Sequence, residues 1–386
     1  MNPEASRCLL CKKPKCALQG CPVHTPIPEC MQLYREGRME EAARLLFRNN
    51  PLSAVTSLVC DWKQFCYGHC VLNAKGVPVR WYEIEQELSG QYLFNCRLER
   101  QSLEYSYDRV AIVGAGPAGI AAAILLYQQG AELTLFDANP RMGGVLRYGI
   151  PGFRLDKKYC DAYEKLLLDA GVEFRENTEV GKDVSLGDLS AEYDAVLVAA
   201  GAEAPVALGI PGEARAVQAL PFLKNPSAFH LGRKVIVIGG GNVAMDACRT
   251  AVRMGAETWV YYRKTFENMP ANPLEVKAAK EDGVQFKVFQ APVEVKEGGV
   301  VFCDCKNVVP EDGGRVVTKI LKGTEHFVEC DTLLIAISEK PDPVLTVEAQ
   351  AYPNVFLAGD FMSGPATVVE AVQSARTAVE DILETL

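Results

Sequence analysis

Two kinds of residue in this chain have types and spacings that could do chemistry: cysteines crowded at one end, and glycines set in phosphate-binding turns. Fourteen cysteines are present, nine of them within the first 96 residues. They run Cys8-x2-Cys11-x4-Cys16-x4-Cys21-Pro22, then Cys30, and later Cys60-x5-Cys66-x3-Cys70. In a reducing compartment such crowding serves metal binding rather than disulfides. Zinc usually takes paired C-x2-C knuckles well separated in sequence. Four cysteines within 14 residues, the last followed by proline, instead match the ferredoxin-like run whose fourth cysteine ligates the other cluster. Iron–sulfur clusters are therefore favoured over zinc and over unliganded core thiols. Cys303 and Cys305 share one face of a strand without the spacing of a redox pair, and read as structural.

The glycines occur in two turns. Val110 to Gly119 reads VAIVGAGPAG, followed by an alanine-rich apolar helix to Gly130 and a strand ending at Asp137. Gly114 allows a sharp turn, Gly116 lets the backbone approach a pyrophosphate, and Gly119 lets helix and strand pack closely. The helix start at Pro117 and Ala118 presents free N–H groups to the phosphates. Asp137, 23 positions after Gly114, falls where a carboxylate would accept ribose hydroxyls. A second unit starts 125 positions later with Gly239-Gly-Gly241-Asn242-Val243-Ala244. Its second strand ends on Arg263 and Lys264, cations that suit a 2′-phosphate and favour NADPH over NADH; the alternative is a solvated charge pair. Two such units in one chain are the pattern of a flavoprotein holding FAD in one and NAD(P)H in the other. Near the C-terminus, Gly359-Asp360 suits an aspartate reaching ribityl hydroxyls. Ala366, Thr367 and Val368 then open a helix whose dipole would face the flavin.

The elements that must position these residues follow from periodicity. Pro28 to Asn50 reads as helix, with Met31, Leu33, Tyr34, Met39, Ala42, Ala43, Leu45 and Leu46 marking an apolar face that would shield the clusters. Leu88 to Asp108 is mixed and polar and reads as a connection, and Asp156 to Ala170 as an amphipathic helix. Tyr193 to Gly201 is a buried strand, and Pro205 to Leu231 a crossover. Val284 to Cys330 alternates apolar runs with turns such as Glu297 to Gly299 and Glu311 to Gly314, a β-meander. At 386 residues two or three domains are expected. A net charge of −9 without a basic run argues against a nucleic-acid surface. No apolar run approaches the roughly 18 residues of a membrane helix. The first residues carry no secretory apolar segment, so a cytoplasmic location is expected.

The cysteine spacing and the following nucleotide motif together resemble the NAD(P)H- and FAD-dependent iron–sulfur flavoproteins. These include the small (β) subunit of glutamate synthase, the N-terminal half of dihydropyrimidine dehydrogenase and its bacterial NAD(P)H-oxidising counterpart. The resemblance covers essentially the whole chain. It implies an α/β fold: a helical domain with two 4Fe–4S clusters at 1–105, then an FAD domain at 106–230 and 341–386. An NAD(P)H domain at 231–340 is inserted in it. It implies that Cys8, Cys11, Cys16 and Cys70 hold one cluster. Cys21, Cys60, Cys66 and a Glu or Gln side chain would hold the other, with Glu85 favoured over Gln86. Cys30 and Cys96 receive no ligand role. The run Arg141 to Leu155 resembles the family's GG-x-L-x-x-G-I-P-x-F-R-L signature, which makes Gly144, Leu146 and Arg154 flavin contacts. Ser338 stands where the family has glycine. The implied function is an electron-input subunit in a hetero-oligomer. It would pass electrons from NAD(P)H through FAD and both clusters to a separate catalytic subunit of the dihydropyrimidine dehydrogenase or glutamate synthase type. Two rivals are a thioredoxin-reductase-like reductase, disfavoured because no Cys-x-x-Cys follows residue 105, and a zinc-stabilised docking module on a structural flavoprotein.

Overall fold

The computed structural model describes residues 2–308 and 317–386. The cysteine-rich end is helical because its apolar residues recur at helical spacing while glycine and proline punctuate them. After two single-turn helices, the first longer pair is α1 (Ile27–Arg35) and α2 (Met39–Asn49). The single helix expected over Pro28–Asn50 is thus two. Gly37 adopts φ +76°, a left-handed conformation that stops α1 and that other residues rarely tolerate. Then follow α3 (Ser53–Val59) and α4 (Trp81–Asn95), so the connection expected from Leu88 starts only after Cys96. Met31, Tyr34, Ala42, Leu46, Ile84 and Leu88 close one buried cluster between α1, α2 and α4. The buried Glu4 carboxylate accepts from the Arg7 guanidinium (2.7 Å) and the Arg80 amide (2.9 Å), tying the N-terminus to the start of α4.

The chain then forms strand β1 (Arg109–Val113), helix α5 (Pro117–Gln129) and strand β2 (Glu132–Phe136). Pro117 opens α5 at a position whose N–H would be unpaired anyway, and Gly130 closes it at φ +110°. Helix α6 (Lys158–Asp169) and strands β3 (Glu173–Arg175) and β4 (Ala195–Val198) complete this part.

From Pro205 the residues belong to a second compact unit, Pro205–Glu339 together with Tyr148–Pro151. Residues 205–230, expected with the flavin domain, group here because β5 (Val217–Gln218) pairs within the second sheet and α7 (Ala219–Lys224) packs into its core. Strand β6 (Lys234–Ile238), helix α8 (Asn242–Arg253), strand β7 (Glu257–Tyr262) and strand β8 (Gln285–Val288) follow. The meander comprises β9 (Gln290–Lys296), β10 (Gly299–Val308), β11 (Val317–Ile320) and β12 (His326–Glu329), with β9, β11 and β12 all antiparallel to β10. The turn expected at Glu311–Gly314 lies outside the described residues. Strand β13 (Thr332–Ile335) returns to a fully parallel sheet of order β5-β13-β6-β7-β8.

Beyond residue 340 the chain rejoins the first unit as β14 (Val355–Leu357) and α9 (Val368–Thr385). Its sheet, order β14-β4-β1-β2-β3, is also fully parallel. Parallel strands are covered on both faces, which is why the buried stretches of β1, β4 and β6 read as unbroken apolar runs, with Thr134 the one buried polar break in β2. Within this unit two long-range bonds fasten the helical segment to the nucleotide fold: Tyr163 OH to the Pro51 carbonyl (2.8 Å) and Arg376 to the Val23 carbonyl (2.9 Å). No helix among the described residues is long and apolar enough to cross a membrane.

Candidate cofactor sites

The N-terminal thiols gather around two hollows. Cys8, Cys11, Cys16 and Cys70 line the first, with Ile27, Val79 and Trp81 as apolar wall. Cys21, Cys60, Cys66 and Glu85 line the second, with Thr25, Trp62 and Val369. Cys66 and Trp81 face both, so only a thin partition separates them. Of the thiols that line them, Cys66 is the one that the two walls do not divide between them. Glu85, 8% exposed on α4, stands in the second wall, whereas its neighbour Gln86 is exposed. Among the described residues no three Cys, His, Asp or Glu side chains meet closely enough to hold a single metal ion. The thiols surround a volume rather than a point.

The electrostatics fit a cationic cluster. Burial first, and the neighbouring Cys70 and Cys8 next, push the Cys16 thiol up to about 12. Burial and then the Glu85 charge hold Cys60 and Cys66 well above the usual thiol range. Burial lifts Glu85 to about 8 against a hydrogen bond from the Trp81 side chain. Without metal these groups resist ionisation together. Iron would supply the positive charge that turns the same crowd into thiolate and carboxylate ligands. Cys30, also pushed to about 12 by burial, lines neither hollow and points its Sγ at the Ala42 carbonyl (3.8 Å). Cys96 closes α4 and lines neither hollow. Sequence reasoning missed Arg35, whose guanidinium donates to the carbonyls of Ala5 (2.7 Å) and Cys8 and so fixes the first cysteine loop. It also missed Trp81, for which the four-residue spacing to Glu85 on one helix face was a readable signal. Val369 is so remote in sequence from the cysteines that no local pattern could have placed it.

The flavin-type site is assembled from turns. Gly114 has φ +99°, and a Cβ there would meet the Ala199 carbonyl oxygen at 2.4 Å. A Cβ at Gly119 would meet the Gly114 oxygen at 1.9 Å, so α5 can lie this close to β1 only with glycine. The Gly143 amide donates to the Ala115 carbonyl (2.8 Å). Gly144 then lies so near Gly116 that a Cβ would stand 2.6 Å from its Cα, which leaves two bare backbones side by side as a cradle for a ligand. Asp137 is buried beside this cradle. Its carboxylate accepts from the Ala115 amide (2.7 Å) and from the amide of Asn139 (2.8 Å), bracing the turn. Leu146 is fully buried, its carbonyl accepting from Lys157 (2.6 Å), and Arg154 is half-buried. A Cβ at Gly359 would stand 2.8 Å from the Ala118 Cβ, so the C-terminal segment sits on the start of α5. Burial raises the next residue, Asp360, to about 6, against a bond from the Ala366 amide. Thr367 caps α9 in a reciprocal arrangement with Glu370, directing the Val368 end of that 18-residue helix at the same place.

In the second unit Gly239 repeats the turn at φ +146°, where a Cβ would stand 2.1 Å from the Ala336 oxygen, and Gly241 caps α8. The Asn242 side-chain Oδ1 accepts from the Asn272 backbone amide (2.9 Å), so this side chain holds the following loop, while Val243 is half-buried and Ala244 buried in α8. Arg263 is exposed and Lys264 half-buried just past β7, and among the described residues neither is in an ion pair. The Ser338 hydroxyl donates to the Glu339 carbonyl (3.2 Å). Cys303 and Cys305 are buried in β10.

Comparison with known proteins bears on this architecture. The family described as pyridine nucleotide-disulphide oxidoreductase matches residues 108–375. The one described as dihydropyrimidine dehydrogenase domain II, 4Fe-4S cluster, matches residues 1–93. The chain is 34% identical to the glutamate synthase (NADPH) small chain of Escherichia coli K12, over 99% of this chain and 91% of that one. It is 32% identical to the NADP(+)-dependent formate dehydrogenase subunit beta of Moorella thermoacetica, over 94% of this chain and 59% of that one. In fold it is similar to FprA from Mycobacterium tuberculosis, with a TM-score of 0.63 at 20% identity over 72% of this chain and 84% of that one.

Proposed function

Because the chain belongs to the NAD(P)H-dependent, FAD-containing iron–sulfur oxidoreductases that include the glutamate synthase small chain, we propose that it is the electron-input subunit of a hetero-oligomeric enzyme. In this reading NADPH, rather than NADH, delivers a hydride at the second unit. Electrons leave through two 4Fe–4S clusters to a separate catalytic subunit, of the glutamate synthase or dihydropyrimidine dehydrogenase type, in the cytoplasm. Cys8, Cys11, Cys16 and Cys70 hold one cluster; Cys21, Cys60, Cys66 and Glu85 hold the other. FAD supplies hydride acceptance and one-electron release when bound. The chain's own residues do the rest. Gly116 and Gly144 admit the pyrophosphate to bare backbone, Asp137 braces that turn, Asp360 accepts from the ribityl hydroxyls, and Arg263 and Lys264 receive the 2′-phosphate.

The observation that carries the reading is the position of Val369. This residue lies in the first turn of α9, at the flavin-type site, and also forms part of the wall of the second hollow. The second hollow adjoins the first through Cys66 and Trp81, and the first opens at exposed loops. That gives a direction: flavin end, second hollow, first hollow, outside. An anaerobic titration with NADPH, and separately NADH, followed by visible absorbance tests it. Bleaching of the flavin bands together with the broad cluster absorbance supports the reading, and the faster nucleotide reports the roles of Arg263 and Lys264. Flavin bleaching without any cluster absorbance would defeat it.

A further inference from the structure

We propose that the rim of the first hollow is the docking surface for an electron-accepting protein that presents an acidic face with an apolar centre. The proposal rests on the electron-input reading above, and it names where the electrons leave and what receives them. Two segments contribute to the outer rim, each bordered by acids (Glu4 and Glu29, Asp61 and Glu83) but with none between them. Residues 5–28 carry Arg7, Lys12, Lys13 and Lys15 with no Asp or Glu, and residues 62–82 carry Lys63, Lys75 and Arg80 with none, in a chain whose net charge is −9. Lys12, Lys13, Lys15 and Lys75 are exposed, and among the described residues none of the four is in an ion pair. Their charge is directed at solvent rather than spent inside the fold.

Apolar side chains lie open among these cations. Leu9 is 62% exposed and Val71 38% exposed, and both line the hollow that Cys8 and Cys70 share. Leu18 and Val77 are also exposed, on the same two segments. Open aliphatic side chains beside exposed cations, with Lys15 in the wall itself and Lys12, Lys13 and Lys75 on the segments that form it, are the layout of a transient protein interface: the apolar centre is desolvated on docking, and the charged residues steer encounter. The charge selects the occupant. A cationic protein would be repelled, and one with an acidic rim would be drawn in at rates that fall with salt. The place is also right for electron transfer, because docking here brings the partner against the wall that carries Cys8, Cys11, Cys16 and Cys70. Each NADPH consumed yields two electrons, becomes NADP+ and releases a proton. Two molecules of a one-electron acceptor take one electron each.

The test uses the whole protein with its cofactors and two small acceptor proteins, an acidic rubredoxin-type iron–sulfur protein and a cationic c-type cytochrome. At low salt the acidic acceptor is reduced about tenfold faster, and that advantage disappears as ionic strength rises. The variant K12E/K13E/K75E slows the acidic acceptor about tenfold and speeds the cationic one, while NADPH still bleaches flavin and cluster absorbance at the native rate. Equal reduction of both acceptors by the native protein overturns the docking proposal, and so does indifference of the variant to acceptor charge. A variant that changes only the oligomeric state also overturns it, by assigning the rim to a second copy of the chain. The salt dependence of the native protein needs no variant, so a failure of the triple variant to assemble its clusters leaves the test standing. If NADPH never bleaches cluster absorbance in the native protein, the electron-input reading itself has failed, and that result is distinguishable from a failure of docking alone.

Discussion

In the first dinucleotide unit the residue past the second strand is Asp137, whose carboxylate accepts from the Ala115 and Asn139 amides and keeps lone pairs for a ligand hydroxyl. In the second unit the same place holds Arg263 and then Lys264, neither with an ion-pair partner among the described residues. The turns that precede them are near copies. Gly114 and Gly239 both lie at positive φ, where a Cβ would stand 2.4 and 2.1 Å from the carbonyl oxygen at the end of a neighbouring strand. The turn is therefore shared, and under the function proposed above discrimination would lie in what each unit leaves unsatisfied. The first closes an acid onto its own backbone, while the second holds cations open for charge brought by a ligand.

The strongest way to break this comparison is at the shared turn. Gly114→Ala and Gly239→Ala should each destabilise the protein by on the order of 3 kcal/mol, read as a fall in Tm, because backbone conformation and a backbone clash both oppose the methyl. The consequences should then part. Gly114→Ala is expected to purify without flavin absorbance, whereas Gly239→Ala keeps its flavin and loses NADPH-driven bleaching. Gly241→Ala is the control. Its φ is −91° and no atom lies within 4 Å of the added Cβ, so the fold should survive while the nucleotide KM rises. An unchanged KM would show that no phosphate approaches Gly241.

Next in size is the double variant R263A/K264A. Charge-assisted bonds to phosphate contribute about 1.5–3 kcal/mol each, so loss of the pair should cut kcat/KM for NADPH by at least about 100-fold. NADH, which has no 2′-phosphate, should change by less than about twofold. Equal losses with both nucleotides would assign the cations to folding rather than to recognition.

The sequence carried the parts of this molecule that depend on short-range chemistry. Glycine spacing marked both turns, apolar runs marked the buried parallel strands, and cysteine spacing marked the hollows. The single helix read over Pro28–Asn50 missed the effect of Gly37, because its flanking apolar residues stay in phase across the break. The grouping of residues 205–230 with the second unit was invisible locally, since it depends on β5 pairing with β13, more than a hundred residues away. The choice between Glu85 and Gln86 also needed the helix orientation. Only a folded α4 shows which of the two neighbours faces inward.

Asp360 offers a finer test of the first unit. Burial raises its carboxyl to about 6 in the flavin-free protein, so the folded state holds a proton that the unfolded chain has already lost. Its contribution to stability is therefore most favourable at acid pH and declines as pH rises through 6. Binding runs in the opposite direction if the ionised carboxylate accepts from the ribityl hydroxyls. FAD affinity, followed by fluorescence quenching from pH 5 to 8, should be highest above 6 and fall by up to about tenfold per pH unit below it. Asp360→Asn should weaken FAD binding and remove that dependence. A variant that retains the native pH profile would move the titrating group elsewhere.

The smallest expected effect separates the thiols of the second unit from those at the N-terminus. Cys303 and Cys305 are buried on one strand, and the Cys305 Sγ points to the Cys303 carbonyl (3.9 Å), surroundings that favour a neutral packing thiol. Burial raises both above the usual thiol range, with the Glu325 charge adding at Cys303 and the Cys303 charge at Cys305. No cluster is needed to account for them, because each is satisfied as a small apolar side chain. Cys303→Ala and Cys305→Ala should cost about 1 kcal/mol each through lost packing. Iron content and NADPH-driven bleaching should stay at native levels, whereas Cys66→Ala, placed between the two N-terminal hollows, should lower both. If Cys305→Ala removed iron as well, thiol burial would not distinguish a packing cysteine from a ligand in this chain, and the division of labour between its two units would have to be drawn again from metal content.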